Sequence, residues 1–166
     1  MNIFFKIKVL TINILLFFVL TSNAISDENK KYNYEFKSIK SNDANMRIGP
    51  GKRFEIIWNF RKKGLPVKVL NKFEQWYKVE TPDGSVGWMW SKLFYNKHKT
   101  VIFIENDHIY KKKSLESKVI ANVFKNSILR VHFCESNWCK VEEKKHKIKG
   151  YVKTDNIWGA FISKAK

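Results

Sequence analysis

Acidic side chains are scarce in this chain: 15 Asp and Glu stand against 32 Lys and Arg, for a formal net charge of +17. No two carboxylates lie close together in a helical context, so the usual pair for general acid–base work is missing. Only two cysteines occur in 166 residues, Cys134 and Cys139. With His132 and His146 they would have to supply four converging zinc ligands, yet no paired ligand motif is present. No glycine-rich loop follows a strand and opens a helix, and no Ser-His-Asp order is recognisable. Sustained helical stripes are absent as well. These absences point away from catalysis and from a zinc site.

The one long apolar run is Val9 to Leu20. It follows Lys6 and Lys8 and precedes Ser22-Asn23-Ala24, which places small residues at both cleavage-determining positions. Twelve residues are short for a bilayer crossing, which needs about 20. Residues 1–24 are therefore expected to be a cleaved signal peptide, against the alternative of an uncleaved anchor, and the protein is expected in the periplasm. No cysteine stands near the cleavage site to carry a lipid. Losing Lys6 and Lys8 lowers the net charge from +17 to +15. Residues 25–34 are polar without periodicity and read as a flexible leader.

What the chain does contain is an internal repeat. Ile56-Ile57, Gly64-Leu65, Trp76-Tyr77-Lys78-Val79 and Gly87-Trp88-Met89 are answered by Val119-Ile120, Ser127-Ile128, Trp138-Cys139-Lys140-Val141 and Gly150-Tyr151-Val152. The offset stays at 62 or 63. Each copy of such a repeat is normally one structural unit. Short β-prone runs recur at the spacing of small barrels. In the first copy they are Phe36 to Lys40, Ile56 to Phe60, Leu65 to Val69, Trp76 to Thr81 and Ser85 to Trp90. The last two flank Pro82-Asp83-Gly84, a hairpin signal because glycine supplies positive φ. The expectation is an all-β protein of two small barrels in series, at 35–97 and 98–162, with 163–166 as a tail.

Side-chain alternation along these strands sorts the aromatics. Trp76 shares a face with Lys78 and Glu80, opposite Val79. Trp138 shares one with Lys140 and Glu142, opposite Cys139 and Val141. Tyr151 lies with Lys153, leaving Val152 for the core, and by correspondence Met89 is core and Trp88 turns outward. Trp58, Trp76, Trp88 and Trp90 are candidates for a shallow aromatic groove in the first repeat, with Trp76 and Trp88 expected to be the more exposed. Trp138 and Tyr151 are their counterparts in the second. Packing between the barrels is the other use for these rings. Arg47, beside Gly49-Pro50-Gly51, either presents a cation and backbone amides to a carboxylate or pins its loop.

Cys134 and Cys139 bracket four residues in β-prone sequence, and export permits a disulfide across the hairpin. A nucleophilic cysteine, served by His98, His108, His132 or His146, would need a helix start that the sequence does not offer. Direct pairing of the two cysteines sets His132 against Val141 and leaves Val131 and Phe133 on the face of Lys140. A bulge or a covering neighbour would relieve that conflict.

The run Asn45-Met46-Arg47-Ile48-Gly49-Pro50-Gly51, with Ile56-Ile57, Gly64-Leu65-Pro66-Val67, Trp76, Asp83-Gly84 and Gly87-Trp88-Met89, resembles the bacterial SH3-like domain. The whole chain after its leader, from Phe36 to Phe161, is similar to the tandem exported proteins of that family in Gram-negative bacteria. The second copy departs from the pattern, with Lys112-Lys113-Ser114 in place of the loop glycines and Tyr110 where Arg47 stood. Its Cys134, Trp138-Cys139 and Trp158-Gly159 resemble the usual second copy. The resemblance implies five- or six-stranded barrels, no cofactor, no intrinsic catalysis, and binding of peptides, often from the cell wall.

Two classes of partner follow. One is a peptide, peptidoglycan or a partner protein, met by a monomer through the aromatic groove. The other is an anionic polymer or membrane surface (lipopolysaccharide, acidic lipid or nucleic acid), met without sequence specificity through lysine runs such as Arg61-Lys62-Lys63 and Lys111-Lys112-Lys113.

Overall fold

The structure, a computed structural model, describes residues 35–97 and 100–160. The expected signal peptide and leader, His98 and the residues from Phe161 onward lie outside the described residues. Two antiparallel sheets, one of six strands and one of seven, belong to one compact unit. The first is built from β1 (Glu35–Ser38), β2 (Ala44–Arg47), β3 (Ile56–Phe60), β4 (Pro66–Phe73), β5 (Trp76–Glu80) and β6 (Val86–Trp90). The second is built from β7 (Thr100–Phe103), β8 (Asp107–Tyr110), β9 (Val119–Val123), β10 (Ile128–Glu135), β11 (Trp138–Glu143), β12 (Ile148–Lys153) and β13 (Ile157–Trp158). Among the described residues the one helical segment is a 3-10 turn, Ser91–Leu93.

Spatial order confirms the repeat. The first sheet runs β1-β4-β5-β6-β2-β3 and the second β13-β7-β10-β11-β12-β8-β9, the same order with β13 added at the β7 edge. In the first sheet a single bridge between Ile39 and Phe94 takes the place of β13.

Each sheet curls around its own apolar cluster. Val67, Val79, Met46 and Met89 are fully buried in one, and Val101, Val141, Val152 and both cysteines in the other. The alternation expected for Val79, Met89, Cys139, Val141 and Val152 is therefore observed. Burying each such side chain contributes roughly 1.5–3 kcal/mol.

The glycine of Gly87-Trp88 and its counterpart in Gly150-Tyr151 has a steric reason to be there. A Cβ on Gly87 would lie 2.9 Å from the Arg47 carbonyl, and one on Gly150 only 2.5 Å from the Tyr110 carbonyl. In each barrel the crossing strand comes too close for any side chain. That crossing carries Arg47 to Trp88 and Tyr110 to Tyr151.

The conflict around His132 is relieved by a β-bulge. Val131 pairs with Val141 and Phe133 with Lys140, so His132 is the extra residue. Val131 thereby points inward and is buried, while Phe133 stays exposed. Leu70 is the matching extra residue of the first barrel, between Val69 opposite Val79 and Asn71 opposite Lys78. A bulge increases the local twist, which helps so short a sheet to curl.

The barrels dock without using the tryptophans of the expected groove. Ile102 of β7 belongs to the first barrel's apolar cluster, with Ile128 and Trp158 packed against it. Phe36 meets Trp158 edge-on at 5.7 Å. Lys62 donates to the Asn126 carbonyl at 2.7 Å, across the same junction.

Candidate functional site

Pairing across β5 and β6 sets Trp76 opposite Trp90 and Lys78 opposite Trp88, while β2 sets Arg47 opposite Trp88. Side chains directly opposite one another lie on one face of a sheet. Trp76, Lys78, Trp88, Trp90 and Arg47 therefore share the face away from Val79 and Met89. Within it is a shallow depression of about 150 Å³, lined by Asp43, Asn45, Arg47, Lys52, Trp76, Trp90 and Leu93. The Lys92 ammonium lies 5.4 Å from the centre of the Trp90 ring. An aromatic wall beside cations and amides can hold an apolar group and orient a polar one.

Arg47 spends part of its guanidinium on its own loop. Nη1 donates to the carbonyls of Lys52 at 3.0 Å and Phe54 at 2.6 Å. The Phe54 ring packs onto Gly49, where a Cβ would come within 2.6 Å of it. The Gly51 amide is bonded to the Gly49 carbonyl at 3.0 Å. Of the two roles considered for Arg47, the geometry favours pinning the loop, while its side chain still borders the depression. Beside it, the Asn59 amide donates to Asn45 Oδ1 at 2.7 Å and to Asp43 Oδ1 at 2.5 Å, fixing two further lining residues.

Trp58 is not brought to this face. It pairs with Met46, whose side chain is in the core, and stands 53% exposed on the edge strand β3. Exposure also falls differently from the expectation for the other three. Trp90 is 37% exposed at a strand end, whereas Trp76 and Trp88 are partly buried and less exposed than Trp90. Alternation assigns a face but does not say how far cross-strand neighbours cover it, and Trp90 and Arg47 lie directly opposite those two rings.

The second barrel fills the same face differently. Tyr110 pairs with Tyr151, and its ring meets Trp138 edge-on at 5.6 Å. Tyr110 is buried, so it occupies the position that Arg47 borders in the first barrel. Lys153 stands opposite Trp138, where Trp90 stands opposite Trp76. Lys113 lies 5.9 Å from the centre of the Tyr151 ring and pairs with Glu135.

Cys134 and Cys139 are bonded to each other across the β10–β11 hairpin and fully buried. Neither sulfur is free to act as nucleophile or ligand. His132 instead bonds Glu142 at 3.0 Å, and His146 bonds Glu143 at 2.9 Å.

Asp43, Asn45, Lys52 and Leu93 were not among the residues expected from sequence. Asn45 was within reach, since it stands two residues from Arg47 on the same strand face. The other three arrive from loops and a turn, which alternation does not address.

The family model for the bacterial SH3 domain matches residues 40–93 and, separately, residues 106–159. The chain belongs to the bacterial SH3 domain family. Both matches of this SH3 tandem fall within the two sheets, and the first contains every residue around the depression. No curated protein matches the chain. Among solved structures it is similar to NlpC2 and NlpC1 of Trichomonas vaginalis, each at 11% identity, with TM-scores of 0.34 and 0.33. It is also similar to an NlpC/P60 family protein of Bacillus cereus ATCC 10987, at 15% identity and a TM-score of 0.35. In each case 75% of the SH3 tandem is covered, against 48%, 45% and 56% of the other chain. The tandem thus spans about half the length of these structures, and at such scores the likeness carries nothing about shared chemistry.

Proposed function

We propose that this bacterial SH3 tandem is an exported, non-catalytic binding module of the periplasm. In this reading a monomer recognises peptide, peptidoglycan or a partner protein through the Trp76–Trp90 face of its first repeat. The reading rests above all on the two tryptophans standing opposite each other around a depression edged by Arg47 and Lys52. Tryptophan contributes large contact area at low conformational cost, which is why it recurs at binding hot spots. The loop pinned by Arg47 keeps that edge preorganised, so little is lost to ordering on binding.

Sedimentation with isolated peptidoglycan tests the cell-wall version. The wild type is expected to be retained, with Trp76→Ala and Trp90→Ala reducing retention at least tenfold. Retention no greater than that of a lysine-rich control protein of equal charge would end this version.

A second reading is supported by the formal charge, +17 for the whole chain and +15 without Lys6 and Lys8. Here the basic surface binds anionic polymers without regard to sequence. Affinity for lipopolysaccharide, acidic vesicles or nucleic acid should then fall steeply between ~50 and 200 mM salt, because counterions are released on binding. Salt-independent binding would reject it.

A further inference from the structure

Equivalent turns of the two repeats meet at the junction of the barrels. One is Arg61 to Gly64, between β3 and β4; the other is Phe124 to Ser127, between β9 and β10. Asn126, rather than the Ser127 that the repeat sets against Gly64, holds the place of Gly64, with φ of 66° against 90°. The second turn is braced by backbone bonds, from the Asn126 amide to the Phe103 carbonyl at 2.8 Å and from the Phe103 amide to the Ser127 carbonyl at 3.0 Å. Between the turns opens a cleft of about 480 Å³. Its apolar lining comes from both barrels: Phe60 and Leu65 from one, Ile102 and Ile104 from the other.

The charged groups around this cleft are unevenly satisfied. Lys62 and Lys125 line it and are exposed, and neither is in an ion pair among the described residues. The bond from the Lys62 ammonium to the Asn126 carbonyl has a neutral acceptor. Asp83 is the one carboxylate of the lining, and it is engaged within its own hairpin. The Thr81 hydroxyl donates to it at 2.5 Å and the Ser85 amide at 3.2 Å. An apolar cleft edged by two ammoniums, with its own carboxylate already bonded, is complementary to an apolar group that carries a carboxylate.

We propose that this inter-barrel cleft is a second binding site, which takes the C-terminal residue of a polypeptide. Its bulky apolar side chain enters between the barrels, and its carboxylate is held by Lys62 and Lys125. A chain end supplies both groups on one residue. The volume lies toward the lower end of the roughly 300–1,000 Å³ typical of small-ligand sites, which suits a terminus better than a long strand. A second copy of this chain is disfavoured as occupant because it brings the same net charge of +17. Burial of the side chain provides the apolar contribution, and charge-assisted hydrogen bonds to the carboxylate provide selectivity. The site does not depend on the Trp76–Trp90 face.

Fluorescence polarisation with the full chain tests this. The probes are a labelled tetrapeptide ending in phenylalanine with a free carboxylate, the same peptide as its C-terminal amide, and one ending in glycine. The free acid should bind at least tenfold more tightly than either control. Lys125→Gln, an exposed change checked for an unaltered melting temperature, should remove most of that preference, whereas Trp76→Ala should leave it intact. Equal affinity for acid and amide would overturn the proposal, as would a Lys125→Gln variant that binds like wild type. Loss of binding in Trp76→Ala would assign the peptide to the aromatic face instead. Tighter binding of decanoate than of the peptide acid would make the cleft a fatty-acid site and end the polypeptide reading.

Discussion

The Thr100 hydroxyl donates to the backbone carbonyl of Gly64 at 2.5 Å, joining the first strand of the second barrel to a turn of the first. The same hydroxyl lies 2.7 Å from the hydroxyl of Ser38, which is fully buried. Thr100→Val keeps the shape but leaves the Gly64 carbonyl without the hydroxyl that donates to it. A loss of about 1–3 kcal/mol is expected, since an unmet buried polar group costs that much. Chemical denaturation should show it, with faster amide exchange at Gly64. A variant as stable as wild type would mean that this bond does not hold the barrels together.

Gly150→Ala and Gly87→Ala should each destabilise by about 1–3 kcal/mol or more, as overpacking does. The new methyl meets a strand's carbonyl as well as a buried side chain, Met46 for Gly87 and Ile109 for Gly150. Gly150 is the tighter of the two and should lose more. Thermal melts of the two variants rank them, and the reverse order would contradict the sterics.

Reduction of the Cys134–Cys139 bond, or the double change to alanine, frees a loop with a sequence separation of 5. The chain-entropy model assigns so short a loop about 2 kcal/mol. Melting with and without reductant measures this, and non-reducing mass analysis verifies the starting state. No shift on reduction would show that the packing around the sulfurs suffices.

Arg47→Gln separates the two roles of that residue. If the guanidinium holds its loop, the variant should lose about 1–2 kcal/mol and exchange amides faster around Phe54, even without a ligand. Unchanged stability combined with lost binding would make Arg47 a ligand contact only.

The Asp83 carboxyl is held below its ordinary value of 3.8, chiefly by the Thr81 hydroxyl, which outweighs desolvation, with the Ser85 amide adding to the effect. A carboxylate lowered on folding stabilises above its ordinary pKa, and that contribution disappears as pH falls through the folded value. Asp83→Asn should therefore be less stable than wild type at pH 6, with the difference closing as pH drops below 3.8. A gap that is independent of pH would place the effect elsewhere.

Much of the fold was legible because strand alternation is a local property. Val79 and Met89, and Val141 and Val152, announce their faces within a few residues of sequence. The spacing of Cys134 and Cys139 set the hairpin but not the location of its bulge. That depends on whether Val131 or His132 gains more from the core, and burying valine wins over burying an imidazole. The candidate site was half legible. Trp76 and Trp90 could be placed on one face, but the approach of Arg47 to Trp88 depends on β2 crossing β6, a pairing between distant segments. Trp58 was misplaced among the groove residues because its exposure comes from standing on an edge strand, which its own neighbours in sequence do not reveal.

The sequence by itself determined two copies of one strand pattern, the inward faces at Val79, Met89, Val141 and Val152, and a surplus of positive charge. Those features follow from residue chemistry acting over short spans. Only the tertiary structure decided how the barrels meet, which put Ile102 into its neighbour's core and opened an apolar cleft between Lys62 and Lys125. That outcome is a matter of shape matching between two folded surfaces, and no local spacing of residues encodes it.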